Sequence, residues 1–261
     1  LPRVLSTPTH FAYLRIAEGC SNSCAYCIIP KLRGRYRSRP MEDILTEARA
    51  LAADGVRECI VIAQDITRYG MDLYHEKKLP QLLRELCKLD FHWIRLHYLY
   101  PDTITDELID TIAAEPKICK YIDMPIQHCN DTILKAMRRR ETHAGLLALM
   151  DKLRSCIPGV VLRTSLITGL PYEDEAAFDE LCEFLRRTHI ERAGVFPYSP
   201  EEGTAAAEMP NRVDTAEAER RAELVVDVQS RVMDDFNESR MGDLVEVLCD
   251  GFDPQSMQYM G

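Results

Sequence analysis

The sequence predicts an α/β fold: an open, partial (β/α)6 barrel that ends in a long helix and is followed by the start of a small β domain. Three observations predict it. Short β-rich runs alternate with amphipathic stretches, the pattern of βαβ units around a parallel sheet. Six such runs can be placed, where a closed parallel barrel has eight. Polar residues stand just after each run, on the carboxyl-terminal rim where parallel sheets gather their chemistry.

Residues 1–11, with Pro2, Thr7 and Pro8, read as a linker, and the first strand is expected over Ala12 to Ala17. A loop rich in cysteine follows. The clearest helix opens at Pro40, carries Ile44, Leu45, Ala48, Leu51 and Ala52 on one face and stops at Gly55, so its period agrees with its start and stop residues. The second strand, Glu58 to Gln64, holds the continuous apolar run Ile60, Val61, Ile62 of a strand buried on both faces. A helix over Leu79 to Leu89 leads to the third strand, Trp93 to Leu99, and the fourth is Lys120 to Met124. The fifth strand, Val160 to Thr168, is joined by a helix over Glu173 to Thr188 to the sixth, Arg192 to Tyr198. From Val213 to Arg240 the chain is strongly charged, with Leu224, Val225, Val228, Val232 and Phe236 at helical spacing. Residues 12–239 therefore form one core with its terminal helix. Gly242 to Cys249 then alternates like a strand and Asp250-Gly251 signals a turn, so residues 240–261 read as the start of a truncated β domain and the whole as part of a longer protein.

At 261 residues and 46% hydrophobic content the chain can bury a large core. It has no run of eighteen apolar residues for a membrane span. Ten cysteines without the spacing of a small disulfide scaffold point to a reducing compartment, so a cytoplasmic location is expected. The net charge of −10 makes nucleic acid the less favoured partner, although Lys31, Arg33, Arg35, Arg37 and Arg39 around Tyr36, and Arg138-Arg139-Arg140, are local basic stretches that fit either a phosphate groove or a solvated flap.

The chemistry concentrates in Glu18-Gly19-Cys20-Ser21-Asn22-Ser23-Cys24-Ala25-Tyr26-Cys27. The CxxxCxxC spacing lets one loop wrap three thiolates, Cys20, Cys24 and Cys27, around a 4Fe-4S cluster, which ordinarily takes four. One iron is then open to a ligand that comes and goes. The competing reading is a non-catalytic zinc site, but zinc wants a fourth ligand and no second CxxC pair exists. Cys59, Cys87, Cys119, Cys129, Cys156, Cys182 and Cys249 lie singly, and Cys129 is not assigned as a metal ligand although it adjoins His128.

The cysteine spacing resembles the signature of the radical S-adenosylmethionine (SAM) enzymes. Tyr13 to Ile16, Ile28-Ile29-Pro30, Arg33-Gly34 and Ser38-Arg39-Pro40 resemble the methylthiotransferases among them. Gln64-Asp65, Trp93 to Pro101, Pro125-Ile126-Gln127-His128 and Tyr198 to Thr204 resemble the RimO family, which modifies an aspartate of a small-subunit ribosomal protein. The resemblance covers nearly the whole chain. It implies that SAM binds the open iron, that an electron from a cellular donor cleaves it, and that the β-carbon of the aspartate receives a methylated sulfur without help from a protein acid or base. It also implies an amino-terminal domain with a second 4Fe-4S cluster and a carboxyl-terminal TRAM-like domain that recognises the substrate. A transfer RNA methylthiotransferase is the alternative within the superfamily. An acidic surface suits the basic ribosomal protein better.

The expected cofactor contacts follow. Tyr26 would pack beside the adenine. Gln64 and Asp65, on the rim, would receive the ammonium, unless they merely begin a loop. Arg163, if it faces inward from the fifth strand, would pair with the carboxylate, and otherwise is a surface strand residue. Gln127 and His128 stand at the end of the fourth strand, where a lone histidine is as readily a hydrogen-bonded structural group. Thr168 and Gly169 would let backbone approach the adenosyl group, or are a turn alone.

Overall fold

In the computed structural model, which describes residues 5–261, one parallel sheet carries the molecule. Residues 1–4 of the expected linker lie outside the described residues. In chain order the elements are β1 (Phe11–Arg15), β2 (Ala17–Glu18), α1 (Ile29–Arg33), β3 (Arg37–Ser38), α2 (Met41–Ala53), β4 (Glu58–Ile62), α3 (Leu79–Cys87), β5 (Trp93–Leu96), α4 (Asp106–Ala114), β6 (Ile118–Asp123), α5 (Asp131–Ala136), α6 (His143–Cys156), β7 (Val161–Thr168), α7 (Glu175–Thr188), β8 (Arg192–Pro197), α8 (Thr215–Ser239), β9 (Gly251–Asp253) and β10 (Gln258–Met260).

The sheet runs β1-β4-β5-β6-β7-β8 with every pair parallel, so each helical crossover brings the next strand in beside the last. This is the expected six-stranded open barrel. Buried residues alternate along β7, where Leu162, Thr164, Leu166 and Thr168 are buried and Arg163, Ser165 and Ile167 are partly open. One face of the sheet packs on the helices. The other carries Tyr13, Arg15, Arg95, Asp123, Arg163 and Ser165 toward an inner, polar side. Among the described residues no helix is long and apolar enough to cross a membrane.

The helices obey their local chemistry. In α2 Met41, Ile44, Ala48 and Leu51 are buried, with Glu42 and Asp43 in the first turn where a carboxylate suits the helix dipole. Side chains of Thr105, Asn130, Thr142, Asp174 and Asp214 accept from backbone N–H groups at the starts of α4, α5, α6, α7 and α8. In α8 Ala218, Ala222, Val225, Gln229 and Val232 face inward, whereas Leu224 is exposed.

Two expectations are corrected. The first strand does not run from Ala12 to Ala17: the chain leaves the sheet at Ile16, whose N–H still donates to Ile62 O and whose carbonyl accepts from Arg39 N–H, and Ala17-Glu18 then pair antiparallel with Ser38 and Arg37. Second, 242–249 is not a strand. Its alternating Leu244, Val245 and Val247 are exposed, no described strand pairs with it, and the hairpin is β9–β10, with the Asp253 carboxylate accepting from Gln255 and Ser256 in the turn. The second, third, fourth and sixth expected strands end one to three residues earlier, where the chain turns from the sheet toward the rim; the fifth ends at Thr168 as expected, and the fourth begins at Ile118 and the fifth at Val161.

Helix α8 lies against β7 and β8, and it passes close to Gly169 at the end of β7. A Cβ there would overlap the Ala218 Cβ, and Gly169 also has φ +77°, a backbone that favours glycine. Gly159 has a similar φ of +71° but nothing near the position of a Cβ. Gly169→Ala should therefore destabilise the chain by about 1–3 kcal/mol more than Gly159→Ala, the cost of overpacking alone. Urea unfolding of the two variants checks this; equal losses would mean that α8 yields freely.

Candidate metal centre

The ribbon of β2 and β3 clamps both ends of the cysteine loop. Within it Cys20 N–H donates to Gly34 O at 3.1 Å, and a Cβ on Gly19, which has φ +77°, would overlap Arg35 O. Loops from the far side of the sheet hold the centre: Ala25 N–H donates to Met137 O (3.0 Å) and Ala25 O accepts from Ala206 N–H (2.8 Å). Ser21, Ser23 and Ala25 are small, so backbone can close in on all sides.

Cys20 is buried, and Cys24 and Cys27 are half-buried. Burial pushes the Cys20 and Cys27 thiols up, so thiolates persist here only against a compensating positive charge, which iron or zinc supplies. The donor set separates those two metals. A structural zinc is closed by four ligands. Among the described residues, the cavity that the three cysteines share behind the loop offers no fourth cysteine, histidine or carboxylate, whereas three thiolates can hold three irons of a cluster. The residues fit a cluster.

Behind the loop lies a cavity of about 460 Å³, lined by all three cysteines together with Tyr26, Gln64 and Gln127. Gln64 Oε1 is buried and has no hydrogen-bond partner. Leaving such an acceptor unpaired costs about 1–3 kcal/mol unless a ligand donates to it. Gln127 reaches the cavity because its backbone adopts φ +71° and continues the sheet, exchanging hydrogen bonds with Ser165 O and Ile167 N–H. Tyr26, Gln64 and Gln127 thus meet the cysteines in one space.

The other expected contacts are committed elsewhere. Asp65 is fully buried, and its carboxylate accepts from Asn22 Nδ2 (3.0 Å), Thr67 N–H (3.0 Å), the Thr67 hydroxyl and Arg68 Nε (3.1 Å), so it anchors the cysteine loop rather than a ligand. Arg163 does face the inner side, but its Nη1 donates to Asp123 Oδ1 at 2.6 Å, and His97 Nδ1 lies 2.8 Å from Asp123 Oδ2. It does not line the cavity with the cysteines. His128 is buried, with Nδ1 accepting from Cys129 and Asn130 N–H and Nε2 turned to Glu173 Oε2 at 3.4 Å. The Thr168 hydroxyl donates to Ala218 O (2.9 Å), and Gly169 gives room to α8, so this turn serves helix packing.

Two residues of the site were not singled out as contacts from the sequence. Tyr100 places its hydroxyl 3.5 Å from Cys24 Sγ. Arg139, one of three consecutive arginines, is not a surface charge: its side chain is 2% exposed and lies with its guanidinium 4.3 Å above the Tyr100 ring. Arg140 pairs with Asp102, and Arg138 lines a second cavity on the outer side of the loop, so the triplet is split three ways. Cys129, His143 and Glu180 come together near α6, where His143 and Glu180 already pair at 2.6 Å.

Chemically related contacts fix the rim. Glu173 accepts from Gly169 N–H (2.9 Å) and Arg221 Nη1 (3.0 Å). Burial alone would raise its carboxyl, but His128, the Gly169 N–H and Arg221 outweigh it and hold the group below its ordinary 4.5. A carboxylate lowered in the folded state stabilises above its ordinary value and loses that contribution as pH falls through the folded value. Wild type should therefore lose stability steeply below about pH 4.5, and Glu173→Gln should be weaker at pH 7 with a shallower acid limb, both read from urea midpoints between pH 7 and 3. Parallel limbs would remove Glu173 as a source.

Comparison with known proteins gives the context. The model of the Radical SAM superfamily matches residues 14–185. The ribosomal protein uS12 methylthiotransferase RimO of Caldanaerobacter subterraneus subsp. tengcongensis is 50% identical over 254 residues, which cover 97% of this chain and 58% of the relative. That of Anaeromyxobacter sp. (strain K) is 51% identical over 251 residues, covering 96% and 54%. The chain thus spans just over half the length of these relatives. Among solved structures, the radical SAM methyltransferase TsrM of Kitasatospora setae, with cobalamin and a 4Fe-4S cluster bound, matches with TM-score 0.62 at 17% identity, over 76% of this chain and 38% of that one. Coproporphyrinogen III oxidase HemN of Escherichia coli, a radical SAM enzyme, matches with TM-score 0.62 at 17% identity, over 87% and 54%. At such identity the likeness speaks for the fold, and it agrees with the open parallel barrel.

Proposed function

The chain belongs to the radical SAM superfamily, and from that premise, with its likeness to RimO, we propose that it is the core of a methylthiotransferase acting on ribosomal protein uS12. The finer reading is that SAM is cleaved reductively and a methylthio group is placed on the β-carbon of an aspartate. One observation carries it: three cysteines open onto a cavity that offers, among the described residues, no fourth cysteine, histidine or carboxylate, and whose Gln64 Oε1 lacks a partner.

A cluster with one open iron would chelate the methionine end of SAM and deliver the electron that breaks its sulfonium bond. The protein's own groups do the rest. Cys20, Cys24 and Cys27 fix the cluster, and the Gln64 acceptor is placed to receive an ammonium. Tyr26 and Gln127 wall the same cavity and keep water from the reacting atoms. Arg163, His128, Asp65, Thr168 and Gly169 support this wall through other residues rather than touching a ligand. The reading includes a second 4Fe-4S cluster on a further domain, an electron donor and a cytoplasmic setting. A net charge of −10 supports a basic protein as substrate over a nucleic acid.

The test is anaerobic reconstitution of these 261 residues with iron and sulfide, followed by addition of SAM and of dithionite as the electron source. The expected result is four irons per chain and formation of 5'-deoxyadenosine from SAM, with no methylthiolation of uS12 by intact mass. Methylthiolated uS12 would remove the need for another domain, and a colourless chain with one zinc would end the reading. Gln64→Leu should keep the iron and weaken SAM binding by about 10- to 100-fold, the loss of a hydrogen bond to a charged group, measured by equilibrium dialysis.

A further inference from the structure

We propose that Tyr100 and Tyr26, backed by Arg139, set the reduction potential of the cluster through hydrogen bonds to the Cys24 sulfur; the inference rests on the functional reading above. The three cysteines are not equivalent in their surroundings. Cys20 Sγ accepts from the backbone N–H of Asn22 (3.4 Å), and Cys27 faces the N–H of Ile29, both donors belonging to the chain immediately around the motif. Cys24 draws also on a residue beyond the motif, in the loop after β5. The Tyr100 hydroxyl, 76 residues away, lies 3.5 Å from its sulfur, and the Tyr26 hydroxyl faces the same atom.

The direction of these hydroxyls follows from what stands behind them. A phenol can accept and donate at once. Arg139 Nη1 donates to the Tyr26 oxygen (3.3 Å), which leaves the Tyr26 proton for an acceptor, and the thiolate is that acceptor. Above Tyr100 the guanidinium stacks on the ring, drawing electron density from the phenol and strengthening its O–H as a donor. Arg139 has no freedom to do otherwise, because its Nη2 is held by Pro125 O (2.9 Å) and Glu141 Oε1 (2.8 Å). The arrangement is therefore fixed before any electron arrives.

Reduction adds a negative charge that the thiolate sulfurs share. Hydrogen bonds to those sulfurs and a nearby cation favour the reduced state, and burial strengthens both effects. A purely structural pair of tyrosines would aim their hydroxyls at backbone or water. Here both polar ends converge on one ligand sulfur, on the side that also walls the cavity.

Redox titration of the reconstituted chain, followed by the electron paramagnetic resonance signal of the reduced cluster, tests this. Tyr100→Phe keeps the ring under Arg139 and removes only the donor. It should retain four irons and lower the midpoint so that the reduced fraction at a fixed potential falls about tenfold, about 59 mV for one electron. Tyr26→Phe should shift it the same way. If Tyr100→Phe loses its cluster, Tyr26→Phe decides by a second readout: its iron–cysteine stretching bands in resonance Raman should move less between H2O and D2O than those of the wild-type chain. Unchanged midpoints in both iron-replete variants, or an isotope shift in Tyr26→Phe as large as in the wild-type chain, would overturn the inference while leaving the functional reading standing. A wild-type chain that assembles no four-iron cluster would instead sink that reading itself.

Discussion

Presenting three thiols from one short loop is the constraint from which the rest of the site follows. Burial makes the Cys20 and Cys27 thiols resist ionisation, and a flexible loop would let the three scatter. The chain meets the constraint by ending β1 early. At Ile16 it stays bonded to β4 through one N–H while its next two residues turn to a new partner, β3. Both ends of the loop are thereby fixed to one ribbon at the edge of the sheet, and Ala25 is tied to two loops across the barrel. A loop anchored at its ends and its middle has little entropy left to lose when its cysteines are engaged.

Around that loop the rim is built of buried charges in matched sets. Asp65 takes Asn22, Thr67 and Arg68; Asp123 takes Arg163 and His97; Glu173 takes Arg221 and faces His128; Arg139 takes Glu141. Such sets are poor sources of net stability, because desolvation consumes most of the attraction. Their effect is on uniqueness of position. Removing one member leaves an uncompensated buried charge, so each rim loop is penalised for leaving its place.

How much of this could be read in the sequence depends on the range of the interaction concerned. The strands after Ile16 were legible because apolar runs such as Cys59 to Ile62 have no other stable home than a buried parallel sheet. The three cysteines were legible because their spacing is local. The early end of β1 was not, since Ala17 continues the apolar pattern and two-residue strands leave no periodic signal. The tail misled for the opposite reason: 242–249 has the apolar content of a strand, but such a run forms one only where a partner exists to take its hydrogen bonds. Arg139 looked like surface because three consecutive arginines seldom contain a buried one, and only the ring of Tyr100 and the carboxylate of Glu141 give it a site.

The division of the rim residues into ligand contacts and supports turns on a criterion that sequence cannot supply, namely whether a polar group has bonding capacity left. Asp65, Arg163 and Thr168 are the residue types that a cofactor with an ammonium, a carboxylate and a ribose would recruit, and they stand at strand ends as such contacts should. Asp65 and Thr168 have their side-chain oxygens engaged within the protein, so recruiting them would break a bond for every bond made, and Arg163 is held by Asp123 outside the cavity that the cysteines line. Gln64 differs in one atom. Its Oε1 is buried yet bonded to nothing, and unlike other buried acceptors left without a partner, such as Glu173 Oε2 and Gln229 Oε1, it belongs to a residue that lines the cavity beside the three cysteines. Position on the rim nominates a residue; spare valence in the folded state decides between binding and bracing.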